Sequence, residues 1–255
     1  MQAAFERYFS MPVDKRSDAA WMIRTLENDM RRLDLSLPDM SLFYFQLYWS
    51  ICGNIKKGPF WMFCYMLFNP PLLSLIRQEA APAISSERID VNHLLNSCPR
   101  LNALWDETLR KTAFAASVRF VTEDVTLPNS SIILRKGNRI MMPQRQLHYN
   151  PQVFGENVAA FDAERFLRDP NIKSKGCYRP FGGGVTLCPG RHLAKVTTFT
   201  FIAIMVGKYN IKLEGGEEQQ FPVPTEGNPS IGLVDVMPGT DVKVVLEKIT
   251  GKEKN

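Results

Sequence analysis

From Ser41 to Phe68 the chain reads as one long helix almost without charge, disturbed only near Gly53-Asn54 and at Lys56-Lys57-Gly58-Pro59. A helix that is apolar on every side has no face to give to water, so it belongs in the middle of something large. A bilayer is the other apolar interior. The two stretches, Ser41 to Ile55 and Phe60 to Phe68, both fall short of the ~20 apolar residues that a span needs. Pro70-Pro71 ends the second, and the buried core helix is the preferred assignment. The N-terminus, MQAAFERYFSMPVDKR, carries Glu6, Arg7 and Asp14 and lacks the basic start and apolar core of an export signal. With 255 residues the chain can bury such a helix in one large domain or two small ones. Five scattered cysteines (Cys52, Cys64, Cys98, Cys177, Cys188), never in a CxxC pair, argue for reduced thiols and against a disulfide framework or structural zinc.

Around that helix the pattern is mainly α with small β sheets. The first forty residues have helical spacing, with a break at Pro38-Asp39; further helices are expected from Leu72 to Ala81 and after Pro99, the latter with Leu101, Leu104, Trp105 and Leu109 on one side. Strand-like runs follow at Ala116 to Val121, Val125 to Leu127 and Ser131 to Met142, the last folding on a Lys136-Gly137 turn. Residues 143–180 show little periodicity, a last strong helix covers Arg191 to Tyr209, and strand-like pieces recur at Ile211 to Leu213 and Val242 to Leu246. The formal charge of +5 is local: between Pro170 and Lys195 lie Lys173, Lys175, Arg179, Arg191 and Lys195 without an acid, and the remainder sums to zero. Interleaved aromatics are few there and no binding motif for nucleic acid is present.

Phe181-Gly-Gly-Gly-Val-Thr-Leu-Cys188-Pro-Gly190 is the sharpest local feature, a glycine-rich loop running into the Arg191 helix. With Cys188 just before the helix and Pro189 at its first position, the sulfur would face unpaired N–H groups and the positive end of the helix dipole, which favours a thiolate. Gly190 and its neighbours could donate to the sulfur, and bare glycines let backbone approach a flat ligand. A phosphate loop fits poorly without a terminal Lys-Ser/Thr, and a nucleophilic cysteine would need a partner such as His192, which sits on the following helix. An inert buried thiol is the remaining plain alternative.

The loop resembles the FxxGxxxCxG motif of the cytochromes P450, matched at Phe181, Gly184, Cys188 and Gly190. Other elements of that family follow in order: Glu107-Thr-Leu-Arg110 matches its ExxR on the K helix, and Phe161-Asp-Ala-Glu-Arg165-Phe166 resembles its PERF segment, with Asp and Ala departing at the start. His148-Tyr-Asn-Pro151 with Phe154-Gly155 looks like the connecting segment. The resemblance implies a P450 fold, N-terminally truncated, with haem b as cofactor. In it Cys188 is the axial iron ligand, Phe181, Gly184 and Gly190 shape the cofactor loop, and Arg119 pairs with a haem propionate. Glu107, Arg110 and Arg165 form a structural cluster. Thr186 stands where the family usually has a basic residue two positions before the cysteine. By the same resemblance residues 1–68 cover the G/H to I helices, 70–112 the J and K helices, 113–180 a small sheet and meander, 181–209 the cysteine loop and L helix, and 210–255 the closing β hairpin, all parts of one haem domain spanning 1–255.

Gly53 and Asn54 fall where the family's I helix carries an acid and an alcohol that relay protons, so they are the candidate catalytic positions. WSICGN…GPFW and FGGGVTLCPGR resemble the branch of the sterol 7α- and 12α-hydroxylases and prostacyclin synthase. That branch implies a monooxygenase using O2 and reductase electrons on a lipophilic, sterol-like substrate. An endoperoxide isomerase and a non-catalytic haem-domain fragment are the alternatives. Lys56 and Lys57 are expected to face away from the pocket, since a buried unpaired lysine is costly. The basic residues Lys173, Lys175, Arg179, Arg191 and Lys195 would dock NADPH-cytochrome P450 reductase. The family places the parent on the cytosolic face of the endoplasmic reticulum membrane through an N-terminal anchor. This chain is expected to lack that anchor and to be soluble or cytoplasmic.

Overall fold

The computed structural model describes residues 1–85, 88–225 and 232–249, with the chain in two compact units, 1–56 and 57–255. The part of the expected closing β hairpin region, 210–255, that covers 226–231 and 250–255 lies outside the described residues.

The first unit holds α1 (Gln2–Ser10), α2 (Trp21–Arg32) and α3 (Leu37–Ser50). The forty-residue helical start is therefore two helices with a 3-10 turn between them at Val13–Arg16. Pro38 opens α3 instead of breaking it: proline is tolerated in a first turn, and Ser36 caps the helix by accepting the Asp39 N–H at 3.3 Å. Phe9, Met30, Met40 and Tyr44 make a small core, and the Tyr44 hydroxyl donates to the Ile23 carbonyl at 2.6 Å. Glu27 is buried between Arg16 (2.5 Å) and Arg31 (2.8 Å), which hold its pKa below the ordinary value against the opposing effect of burial. Leu42, Phe43, Tyr48 and Trp49 of α3 are exposed while Met40, Ser41 and Tyr44 are buried, so the first half of the apolar run buries one face only. A π-helical turn, Ile51–Ile55, follows α3 and contains Gly53 and Asn54.

The second unit begins with α4 (Lys57–Leu67), α5 (Pro70–Ala80), α6 (Val91–Asn96) and α7 (Pro99–Thr112). Here the apolar run is buried, with Trp61, Met62, Cys64 and Met66 all at 1% exposure or less. Asn69 caps α5, and both prolines fit its first turn. The most enclosed helix is α7: Leu101, Leu104, Trp105 and Leu109 are buried, and so are Asp106, Glu107, Thr108, Arg110 and Thr112 on its polar sides. Its core partners include Ile76, Leu94, Phe199, Ile202, Ala203 and Val206.

After α7 come β1 (Ala116–Phe120), β2 (Val125–Thr126), β3 (Ile133–Leu134) and β4 (Arg139–Pro143). The Lys136-Gly137 turn does not close a hairpin: β4 pairs antiparallel with β1, and β3 with β2. Asp124 redirects the chain, accepting the Lys136 N–H at 2.8 Å and pairing with Arg135 at 2.6 Å, while Gly137 turns at φ +85°. Three one-turn helices, α8 (Gln144–His148), α9 (Pro151–Phe154) and α10 (Arg165–Arg168), lie in the aperiodic segment. The last helix, α11 (Arg191–Lys208), leads into β5 (Tyr209–Leu213), which pairs antiparallel with β6 (Val244–Lys248). Described residues amount to a mainly helical fold with small two-stranded sheets. Among them, no single helix is long and apolar enough to cross a membrane.

Candidate functional site

Cys188 lies in the second unit at the mouth of α11, partly exposed. The helix is capped by Gly190, whose carbonyl accepts the Ala194 N–H at 2.9 Å, so Pro189 precedes the helix and Cys188 stands two residues before the cap. Among the described residues no N–H donates to the sulfur, in contrast to the expectation for Gly190 and its neighbours; a Cβ added at Gly190 would lie 3.7 Å from Sγ. The Cys188 backbone is fixed instead, its N–H donating to Phe181 O at 3.1 Å and its carbonyl accepting Arg191 Nη1 at 2.9 Å. The loop turns at Gly182 (φ +79°) and Gly184 (φ +66°), a backbone region that L side chains avoid. Phe181 packs against the core near Trp105.

Behind the loop, α7 presents Glu107 to two arginines. Arg110 donates Nε and Nη2 to its two carboxylate oxygens, each at 2.7 Å, and Arg165 at the start of α10 donates Nε at 3.2 and 3.3 Å. The Asp162 N–H adds a fourth donor at 3.0 Å. All three side chains are at 4% exposure or less. The guanidinium hydrogens left over go mostly to backbone carbonyls: Arg110 reaches those of His148, Val158 and Ala160, and Arg165 those of Phe154, Asn157 and Ala160 and also the Asn157 side-chain oxygen at 3.1 Å. A cluster of this kind ties the irregular segment to α7 through charge-assisted bonds sealed from water.

On the antiparallel β1–β4 pair, Ser117 opposite Met142 and Arg119 opposite Ile140 share a face. Ser117, Arg119 and Met142 line a cleft of about 520 Å³ with Gln144, Arg179 and Gly182–Val185. Arg119 donates to Thr186 Oγ1, so the residue that stands in place of the family's usual basic one contacts the arginine of β1. The sequence contained both residues but no local signal that they touch, because they are sixty-seven positions apart.

Gly53 and Asn54 sit in the first unit, in the π turn, and Phe181, Gly184, Cys188, Gly190, Arg119, Glu107, Arg110 and Arg165 all sit in the second. A π turn inside a helix leaves backbone carbonyls in irregular positions and recurs at functional sites. Lys57 is largely buried but paired, its ammonium donating to the Leu233 carbonyl at 3.0 Å and to Asp235 at 2.8 Å, while Lys56 is exposed. Trp61 Nε1 donates to the next carbonyl, Val234 O, at 2.9 Å. Of the basic cluster, Lys173 pairs with Asp106 and Lys175 with Asp169, both acids from outside the 170–195 window, so two of the five charges are matched. Lys195 lies 5.2 Å from the Phe199 ring centre, and burial lowers its pKa.

The sequence model of the Cytochrome P450 family matches residues 57–236. Among curated relatives, the chain is 27% identical over 222 residues to the human 7-alpha-hydroxycholest-4-en-3-one 12-alpha-hydroxylase, covering 79% of this chain and 44% of that protein. It is 24% identical over 251 residues to Cytochrome P450 7A1 of Sus scrofa, covering 90% and 49%. A Cytochrome P450 monooxygenase of Gibberella zeae is 27% identical over 179 residues, covering 65% and 34%. The chain thus spans between about a third and a half of the length of these relatives. With the family match covering most of the chain, and with the cysteine loop and the buried Glu107–Arg110–Arg165 cluster both inside the matched residues, the chain belongs to the cytochrome P450 family of haem-thiolate oxidoreductases.

Proposed function

We propose that this chain is the haem-binding, C-terminal part of a P450 monooxygenase, its two units belonging to one haem domain, and that the substrate is lipophilic and sterol-like. The observation that carries this is the partly exposed Cys188 thiol, unencumbered by donors two residues before the cap of an 18-residue helix, in a loop that leaves open space beside Gly184. The residues fit the group: sulfur is a soft iron ligand, Gly182, Gly184 and Gly190 admit a flat macrocycle, and Arg119 offers a cation for a carboxylate. When bound, a thiolate-ligated haem supplies the electron-rich iron at which dioxygen is cleaved. Cys188 would hold the iron through its sulfur, Arg119 would hold a propionate with Thr186 fixing the guanidinium, and Phe181, Gly184 and Gly190 would set the shape of the loop. Glu107, Arg110 and Arg165 brace that loop from behind.

Asn54 would orient a water through its side-chain amide and pass protons toward the reacting oxygen, with Gly53 leaving room beside it. Lys173, Lys175, Arg179, Arg191 and Lys195 would form the docking face for NADPH-cytochrome P450 reductase, with steering moderated by the Asp106 and Asp169 pairs. The sterol-like substrate is supported by the likeness to the 12-alpha-hydroxylase, and placement on the cytosolic face of the endoplasmic reticulum membrane is proposed from the family resemblance alone. Asn54 in place of an acid and alcohol also favours a second reading, isomerisation of an endoperoxide, which needs no external electrons.

The test is to express the chain with haem supplied, reduce it and add carbon monoxide. A red-shifted Soret band that disappears in Cys188→Ala is expected. Absence of the band, with a full-length relative positive in parallel, would overturn haem binding by this chain; its persistence in Cys188→Ala would overturn the ligand. Dependence of turnover on NADPH and reductase separates the monooxygenase from an isomerase that acts on a peroxide substrate alone.

A further inference from the structure

A group outside the proposed chemistry stands between α7 and the cysteine loop. His148 is fully buried at the end of α8. Its Nε2 accepts the Arg179 N–H at 2.9 Å, and its carbonyl accepts Arg110 Nη1 at 3.0 Å. The ring faces Tyr178 at 5.6 Å, and Tyr178 in turn donates to Asp106 Oδ1 at 2.9 Å. Past this point the loop hangs on Arg179: the Arg179 carbonyl accepts the Gly182 N–H at 3.0 Å, and Phe181 O accepts the Cys188 N–H. The Arg179 side chain folds back onto Gly176 O at 2.9 Å and fills the space where a Cβ on Gly183 would fall.

With Nε2 as acceptor, the proton of a neutral imidazole is on Nδ1, and Nδ1 is buried without a hydrogen-bond partner. A histidine kept only to fill the core would be better replaced by an apolar ring, which leaves no donor unpaired. What an apolar ring cannot supply is the acceptor for Arg179.

We propose that His148 is a positioning residue for the cysteine loop, its Nε2 anchoring the Arg179 N–H so that the segment from Phe181 to Cys188 leaves α7 in a fixed register. The consequence for iron ligation rests on the assignment of Cys188 as ligand; the anchoring itself does not. The ring keeps its acceptor at neutral pH because burial lowers its pKa from 6.5 to about 4, the Arg110 backbone opposing this in part and the Arg110 charge adding to it. The groups that face it are Arg110, with Glu107 behind, from α7, and Tyr178, linked to Asp106, and Arg179 from the loop; Arg145 and Tyr149 are its neighbours in sequence.

Two variants of the full chain test this, His148→Leu, which removes the acceptor, and His148→Gln, whose side-chain oxygen can reach toward Arg179. Hydrogen exchange resolved by peptide and alkylation of Cys188, followed by mass spectrometry, read the loop without haem. His148→Leu is expected to raise exchange over residues 179–188 and the Cys188 alkylation rate by about tenfold or more, the effect of one lost buried hydrogen bond, with core amides of α11 unchanged. His148→Gln is expected to restore both. In the haem-loaded chain the Leu variant should lose part of the red-shifted carbon monoxide band and the Gln variant should regain it. Wild-type loop protection in a folded Leu variant would overturn the proposal. Should the Leu variant not fold, a folded Gln variant decides: protection near wild type upholds the anchor, and a tenfold rise overturns it. A Cys188→Ala variant that keeps the band would refute the ligand assignment while leaving the exchange result standing.

Discussion

Removing the Glu107 carboxylate is the most severe single change the structure allows in the second unit. In Glu107→Ala the guanidiniums of Arg110 and Arg165, at 0% and 4% exposure, lose their shared counter-charge and face each other in the interior. At an effective dielectric near 20, each attraction lost is worth roughly 4 kcal/mol. The guanidiniums keep most of their bonds to backbone carbonyls, which offsets part of that. Breaking a buried pair from one side typically costs about 3–5 kcal/mol, and the lower half of that range is expected here, against a total stability of about 5–15 kcal/mol for a domain. Urea unfolding followed by tryptophan fluorescence would read the loss, and added salt should barely change it because ions cannot enter the cluster. The further change Arg165→Met should recover at least ~1 kcal/mol, since it deletes one of the two uncompensated cations. A Glu107→Ala variant within ~1 kcal/mol of wild type, or a loss that salt removes, would refute the argument.

A methyl group at Gly58 would lie 3.2 Å from Trp105 Cζ3 and 3.3 Å from Thr198 Oγ1, both fully packed. Gly58→Ala should therefore lower stability by about 1 kcal/mol, overpacking of ~1–3 kcal/mol exceeding the helix-propensity gain of up to ~1 kcal/mol; thermal unfolding would measure it, and a raised Tm would contradict the packing argument. His148 should also set part of the acid sensitivity. Its folded pKa is below the unfolded one, so below pH 6.5 only the unfolded chain takes up the proton, and stability falls as pH drops from 6.5 toward about 4. The difference amounts to ~3 kcal/mol, and denaturant titrations across that window should show a shallower loss in His148→Gln.

The residues proposed for the site stand out in the sequence because each sits in a short motif: a cysteine with glycines on both sides before a helix, Glu107 and Arg110 one helical turn apart, Arg165 beside Phe166. Local spacing can encode these, since a helix or tight loop fixes them within a few residues. Strand partners were less legible. The run from Ser131 to Met142 carries a good turn, but the capture of Lys136 by Asp124 divides it between two sheets. The cap at Gly190, two residues later than expected, follows from Pro189 standing in the preceding turn, and it is this that leaves the sulfur without donors.

What the sequence determined by itself was the helix-rich class, the motif order and the one cysteine among five that stands in a built loop. Burial was decided by tertiary structure. An apolar pattern states which residues would gain by leaving water, but only the assembled chain offers places to go, and it gave one to Trp61 and Met62 while leaving Phe43 and Trp49 exposed. The deepest helix is the one with Asp106, Glu107 and Arg110, because charges distant in sequence and backbone carbonyls met to satisfy them. The pairs Arg119–Thr186, Lys57–Asp235 and His148–Arg179 have the same origin: no local pattern specifies a contact whose two halves are brought together only when the core closes.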